Sequence, residues 1–175
     1  MKKYKVLFCD LDGTLIEPKT KNRFPEGIWD MQMKFNVFDQ IKRMQPECIF
    51  IAANQGAVGQ YFTEKQFESK IDYVLNCLVA YIESPEYKVK AYDSIYCTSN
   101  EKTDPFRKPN TGMLEYIYKA YMLYKEYTLD DMIMIGDASG LKYNPSRIDI
   151  DCANNFGIHY CDVNEFTKIT KFEND

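Results

Sequence analysis

The sequence is short of several residues on which catalytic and structural devices depend. It contains one histidine, His159, in 175 residues. A Ser-His-Asp or Cys-His machine would have to use that residue, so a carboxylate is the more natural general acid or base here. No Cys-x-x-Cys pair occurs among the six cysteines, at positions 9, 48, 77, 97, 152 and 161, and no histidine spacing suits zinc. This speaks against a zinc site, and the scattered thiols read as reduced, packed side chains rather than a disulfide framework. Long apolar runs are also missing. The run that follows MKKY lasts about five residues and ends at Asp10, too short for a signal-peptide core or a membrane span, which predicts a cytoplasmic protein. Positive charge is not in excess: 22 basic against 26 acidic side chains leave a formal net charge of −4. No overall field draws in nucleic acid or an anionic membrane, so a polyanionic substrate needs a local patch.

What the sequence does have is alternation. Strand-length runs at 4 to 10 (YKVLFCD), 47 to 53 (ECIFIAA), 93 to 98 (DSIYCT), 132 to 137 (MIMIGD) and 157 to 160 (GIHY) are separated by stretches of helical period. The first, second and fourth runs are nearly continuous in apolar character, as in strands covered on both faces of a parallel sheet. Phe67, Ile71, Val74, Leu75 and Leu78 follow helical spacing, and Thr63 with Gln66 forms a capping-box signature ahead of them. Leu114, Ile117, Tyr121 and Tyr124 repeat that spacing after Pro109. The pattern predicts one α/β domain over residues 1–175, with a mainly parallel sheet between helical layers. Residues 17 to 29 (EPKTKNRFPEGIW) and 99 to 110 (SNEKTDPFRKPN) have no clear period and read as loops.

Ligands bind such sheets at the carboxyl ends of the strands, so the residues at those ends carry most weight. Asp10 and Asp12 of FCDLDGTLI follow the first strand, Asn54 and Gln55 the second, and Asp137 the fourth, while Lys108 lies in the loop before the preceding helix. Three carboxylates and one ammonium suit Mg²⁺ and a phosphate, because a hard cation takes oxygen ligands. Cys9 points away from Asp10 by strand alternation and reads as core.

DLDGTL at 10 to 15, the strand ending in ANQ at 53 to 55, the lysine of FRKPNTGM and the acidic end of MIMIGD together resemble the four signature motifs of the haloacid dehalogenase superfamily of phosphatases. The resemblance implies a three-layer Rossmann-like fold, Mg²⁺ and an aspartyl-phosphate intermediate. It makes Asp10 the nucleophile and a metal ligand. Asp12 becomes the general acid and base, with its main-chain carbonyl on the metal. Asp137 is the remaining metal ligand, Lys108 holds phosphate and nucleophile, and Asn54 lies in the phosphate-binding loop. TLIEPKTKNRFP, FRKPNTGMLEYI, GDASG and SRIDIDCANNFGI further resemble the 3′-phosphatase domain of polynucleotide kinase/phosphatase and free-standing DNA 3′-phosphatases of DNA repair. In that comparison Ser146 and Asp149 match a Ser/Asp pair, which makes Asp149 a carboxylate backing the metal site.

Three features depart from the pattern. Ala53 stands where a Thr or Ser hydroxyl is expected, a hydrogen bond to a charged acceptor worth about 1.5–3 kcal/mol. Gln60 replaces an arginine, and no GxxxxGK[ST] loop provides a kinase site. The cationic track that a nucleic-acid end needs has Lys19, Lys21, Arg23, Lys102, Arg107 and Lys108 as candidates. With about 40 residues between the first two motifs and about 50 from the second to Lys108, no large lid domain is expected. The leading expectation is a Mg²⁺-dependent phosphatase acting on a polynucleotide 3′-phosphate. The alternatives are a small-metabolite phosphatase and a binding module in which catalysis has decayed.

Overall fold

The computed structural model describes residues 1–22, 24–25, 27–122 and 127–173. Five strands form one parallel sheet: β1 (Val6–Cys9), β4 (Cys48–Asn54), β5 (Ala91–Cys97), β6 (Met132–Gly136) and β7 (His159–Asp162), in spatial order β5-β4-β1-β6-β7. All four pairings are parallel, and β1 is central, with Leu7 opposite Ile49 on one side and Ile133 on the other. The helices are α1 (Phe35–Met44), α2 (Glu64–Ile82), α3 (Gly112–Ile117), α4 (Ile148–Phe156) and α5 (Val163–Phe166). A π-helical turn, Tyr118–Met122, continues α3. This is a three-layer α/β Rossmann-like fold.

The near-continuous apolar runs have their cause in the two layers. Leu7, Cys9, Ile49, Ile51, Ile133 and Ile135 pack with α1, α2 and α5, while Val6, Phe8, Cys48, Phe50, Met132 and Met134 pack with α3 and α4. Alternate residues of one strand thus enter two different cores, so neither parity can be polar. Cys9 is buried in the first core, and all six cysteines are free thiols. The Thr63 capping box forms as expected: Thr63 Oγ1 accepts the Gln66 amide at 3.2 Å, and Gln66 Oε1 accepts the Thr63 amide at 2.8 Å. Phe67, Ile71, Val74, Leu75 and Leu78 are buried, as their spacing predicts. Leu114 and Ile117 are buried too, whereas Tyr124 lies outside the described residues.

The loop prediction for 17 to 29 needs correction at its start: Glu17 and Pro18 belong to β2 (Ile16–Pro18), which pairs antiparallel with β3 (Met31–Met33) beyond the stretch, three-residue strands being too short for alternation to register. Asp30, 1% exposed, ties the base of this hairpin by accepting the Thr20 amide and hydroxyl, each at 3.1 Å. Among the described residues no helix is long and apolar enough to cross a membrane.

Candidate active site

The strand order reverses direction at β1 and β6, and the crevice opened there lies beyond their carboxyl ends. Asp10 follows β1 and Asp137 follows β6. The Asp10 amide donates to Ile135 at 3.0 Å, which extends the sheet to the first site residue. Lys108 crosses to it from the loop before α3. Its ammonium donates to Asp10 Oδ1 at 2.6 Å and lies 2.8 Å from Asp149 Oδ1, the latter an ion pair without hydrogen-bond alignment. Asp149 comes from α4, and its Oδ2 accepts the Ala138 amide at 3.1 Å. Carboxylate oxygens of Asp10, Asp137 and Asp149 all lie within 4.8 Å of one another.

Two glycines make this approach feasible. Gly13 has φ +83°, and a Cβ there would stand 2.6 Å from Asp137 Oδ2. A Cβ on Gly136 would overlap the Asp149 carboxylate. Both are places where a carboxylate sits directly against backbone.

Crowded carboxylates raise each other's proton affinity. Burial pushes Asp10 up to about 8 against the pull of Lys108, with Asp149 and Asp137 adding to the rise. Asp137 is also raised, by burial first, against its hydrogen bond from Asn144 at 2.7 Å, with Asp149 again unfavourable. Burial would lower Lys108, but the Asp10 and Asp149 charges more than reverse this and hold it well above the ordinary lysine range. The cluster is short of positive charge, and its oxygen-only donors fit a hard divalent cation.

Asp12 has separate partners. Gln55 Nε2 donates to its Oδ2 at 2.6 Å, and Lys70 of α2 pairs with its Oδ1 at 3.1 Å. Lys70 is 3% exposed.

The sequence matches the family model described as polynucleotide kinase 3 phosphatase over residues 5–167. The chain belongs to this family. Solved structures show the same fold at low identity. One is a D,D-heptose 1,7-bisphosphate phosphatase from B. bronchiseptica complexed with magnesium and phosphate, with TM-score 0.64, 18% identity, 91% of this chain and 79% of that one. Another is a putative HAD-like phosphatase from Mesorhizobium loti, with TM-score 0.60, 19% identity, 90% of this chain and 71% of that one. These structures share the fold of the chain, and the family comes from the sequence match.

Among the residues expected from the family's motifs, the structure brings Asp10, Asp137, Lys108 and Asp149 into one cluster. Asn54, expected in the phosphate-binding loop, is bonded to the lysine loop. Its Oδ1 accepts the Lys108 amide and its Nδ2 donates to the Lys108 carbonyl, both at 2.9 Å, so its amide fastens the lysine loop to the end of β4. Ala53 is fully buried in the apolar core. The candidate cations for a track have separate places. Lys108 belongs to the carboxylate cluster, Arg107 donates to the Ser99 carbonyl, Lys19, Lys21 and Lys102 are exposed, and Arg23 lies outside the described residues.

Sequence reasoning on the family motifs passed over Lys70, Asn144 and Lys34, whose ammonium donates to the Gly13 carbonyl at 2.6 Å. Lys70 did carry a signal. It stands three residues after Phe67 and four before Val74, on the apolar stripe of α2, where a charge must find a buried partner. Asn144 and Lys34 lie in segments without such a pattern.

Proposed function

We propose that the protein is a Mg²⁺-dependent phosphomonoester hydrolase that removes the 3′-phosphate from a polynucleotide end through an aspartyl-phosphate. The observation that carries this reading is the Lys108 ammonium between Asp10 and Asp149, with an Asp137 oxygen within 4.8 Å of an oxygen of each of those carboxylates. Asp10, Asp137 and the main-chain carbonyl of Asp12 would hold the ion. Mg²⁺, when bound, supplies Lewis-acid neutralisation of the phosphoryl oxygens. Lys108 adds a fixed positive charge and holds Asp10 for attack. Asp10 forms a bond to phosphorus as the bond to the leaving oxygen breaks, and Asp12 gives that oxygen its proton. Asp12 then takes a proton from water, which attacks phosphorus and frees phosphate and Asp10. Dividing hydrolysis in this way replaces one difficult step with two easier ones.

A cavity of about 1270 Å³ supports a bulky leaving group. It lies between the hairpin segment and the start of α2, is lined by Phe24, Ile28, Trp29, Tyr61 and Lys65 among others, and borders Asp12 through Lys70. Trp29 is 66% and Tyr61 83% exposed, so both rings present faces on which bases stack. A second reading, a small phosphorylated metabolite, is favoured by the few cations on that wall, of which Lys70 is already paired. Turnover of a 3′-phosphorylated oligonucleotide with Mg²⁺, measured beside a panel of sugar and nucleotide monophosphates, tests the two. Preference for the oligonucleotide is expected, and turnover of metabolites alone overturns it.

A further inference from the structure

We infer that Lys70 is a positioning residue for proton transfer, holding the Asp12 carboxyl where it meets the leaving oxygen. The inference rests on the reading of Asp12 as general acid. Lys70 leaves the solvent almost entirely, its side chain 4% exposed beside an Asp12 side chain that is 11% exposed. Desolvating a lysine is costly, and a buried ion pair is often no more stable than apolar residues of the same volume. On the apolar stripe of α2, between Phe67 and Ile71, a methionine would fill the same space. Stability of α2 therefore does not account for an ammonium at this point.

What the ammonium touches does account for it. It meets Asp12 Oδ1 at 3.1 Å while the Gln55 amide meets Oδ2 at 2.6 Å, so each oxygen has one fixed donor and the carboxyl plane is set. The two donors come from different elements, α2 and the end of β4, and Lys70 stands over the Phe67 ring at 5.8 Å. Lys70 is also part of the cavity wall. In the step concerned, the Asp10–phosphorus bond forms, the phosphorus–oxygen bond to the leaving group breaks, and the Asp12 proton moves to that oxygen. A displaced Asp12 impairs this step only as far as the leaving oxygen needs the proton.

That dependence gives a readout that a merely structural lysine would not move. For an aryl ester with an acidic leaving group, p-nitrophenyl phosphate, kcat/KM needs little proton donation. For a 3′-phosphorylated oligonucleotide, with an alkoxide leaving group, it needs much. K70M is expected to lower kcat/KM on the oligonucleotide about 10- to 100-fold and on the aryl ester less than about threefold, within the range of general acid catalysis and its misplacement. K70R is expected to restore most of the loss. D12N, assayed in parallel, should show the same split more strongly, and K70M should add nothing to it on the oligonucleotide. Equal losses on both esters in D12N would overturn the role of Asp12 itself. A split in D12N with equal losses, or none, in K70M would overturn the role of Lys70 alone. Should K70M fail to fold, as judged by circular dichroism and thermal melting, K70Q is read in the same way.

Discussion

The two aspartates of DLDGTL sit two residues apart in different kinds of surroundings. Around Asp10 the partners are held by backbone: the Ile135 carbonyl, the Asn54 clamp on Lys108, and glycines at 13 and 136 that leave room for Asp137 and Asp149. Around Asp12 the partners are side chains, Gln55 and Lys70, and beyond them lies a wall of exposed aromatic rings. The difference teaches where this scaffold tolerates change. Phosphate chemistry needs positions fixed to fractions of an ångström, which strand ends and tight turns provide, whereas recognition of the leaving group tolerates exposed side chains.

The comparison breaks most severely at Asp10. Replacing it by Asn is expected to reduce kcat by about 10⁴-fold or more, since under the proposed function this removes the nucleophile and the covalent route, and steady-state turnover measures this directly. Gly136→Ala comes next. Its Cβ drives the Asp149 carboxylate off Lys108, with an expected loss of about 10²-fold in turnover and about 2 kcal/mol or more in unfolding free energy by urea titration.

Protons and metal distinguish the two regions more gently. Asp10 has a folded-state value near 8 against an ordinary value of 3.8, and Asp137 is raised as well, so the metal-free folded protein holds protons that the unfolded chain has released. Stability from these groups is complete below the unfolded value and is lost as pH rises through the folded one. Thermal melts of the metal-free protein should therefore show a Tm falling between about pH 5 and about pH 8. Mg²⁺, held under the proposed function by the ionised carboxylates, should raise Tm by a few degrees more at about pH 8.5 than at about pH 5.5. An equal Mg²⁺ shift at both values would separate metal binding from this cluster. The smallest expected effect is at the aromatic wall. Trp29→Ala and Tyr61→Ala should each raise KM for an oligonucleotide about three- to tenfold, with kcat and p-nitrophenyl phosphate turnover nearly unchanged, because under the proposed function these rings stack bases and leave the reacting atoms alone.

Much of this was legible from residue order. Strand ends follow from apolar runs, the Thr63–Gln66 cap from two residue types three apart, and the clustered aspartates from acidic residues at ends that must share one sheet edge. The β2–β3 hairpin was not legible, because three-residue strands give no period. Asn54 showed its residue type but not its orientation, since an amide at a strand end serves a ligand or a neighbouring loop with the same atoms. Ala53 reads from sequence as a missing hydroxyl, and its full burial in the core adds that a threonine there must bury its oxygen.

The sequence alone determined the kind of fold and the chemical groups at its working edge, because periodicity and residue type are local properties. Tertiary structure decided which of those groups face one another. Lys108 is 98 positions from Asp10 and Lys70 is 58 from Asp12. Only the strand order β5-β4-β1-β6-β7, with its helices packed across both faces, brings each ammonium to its own carboxylate.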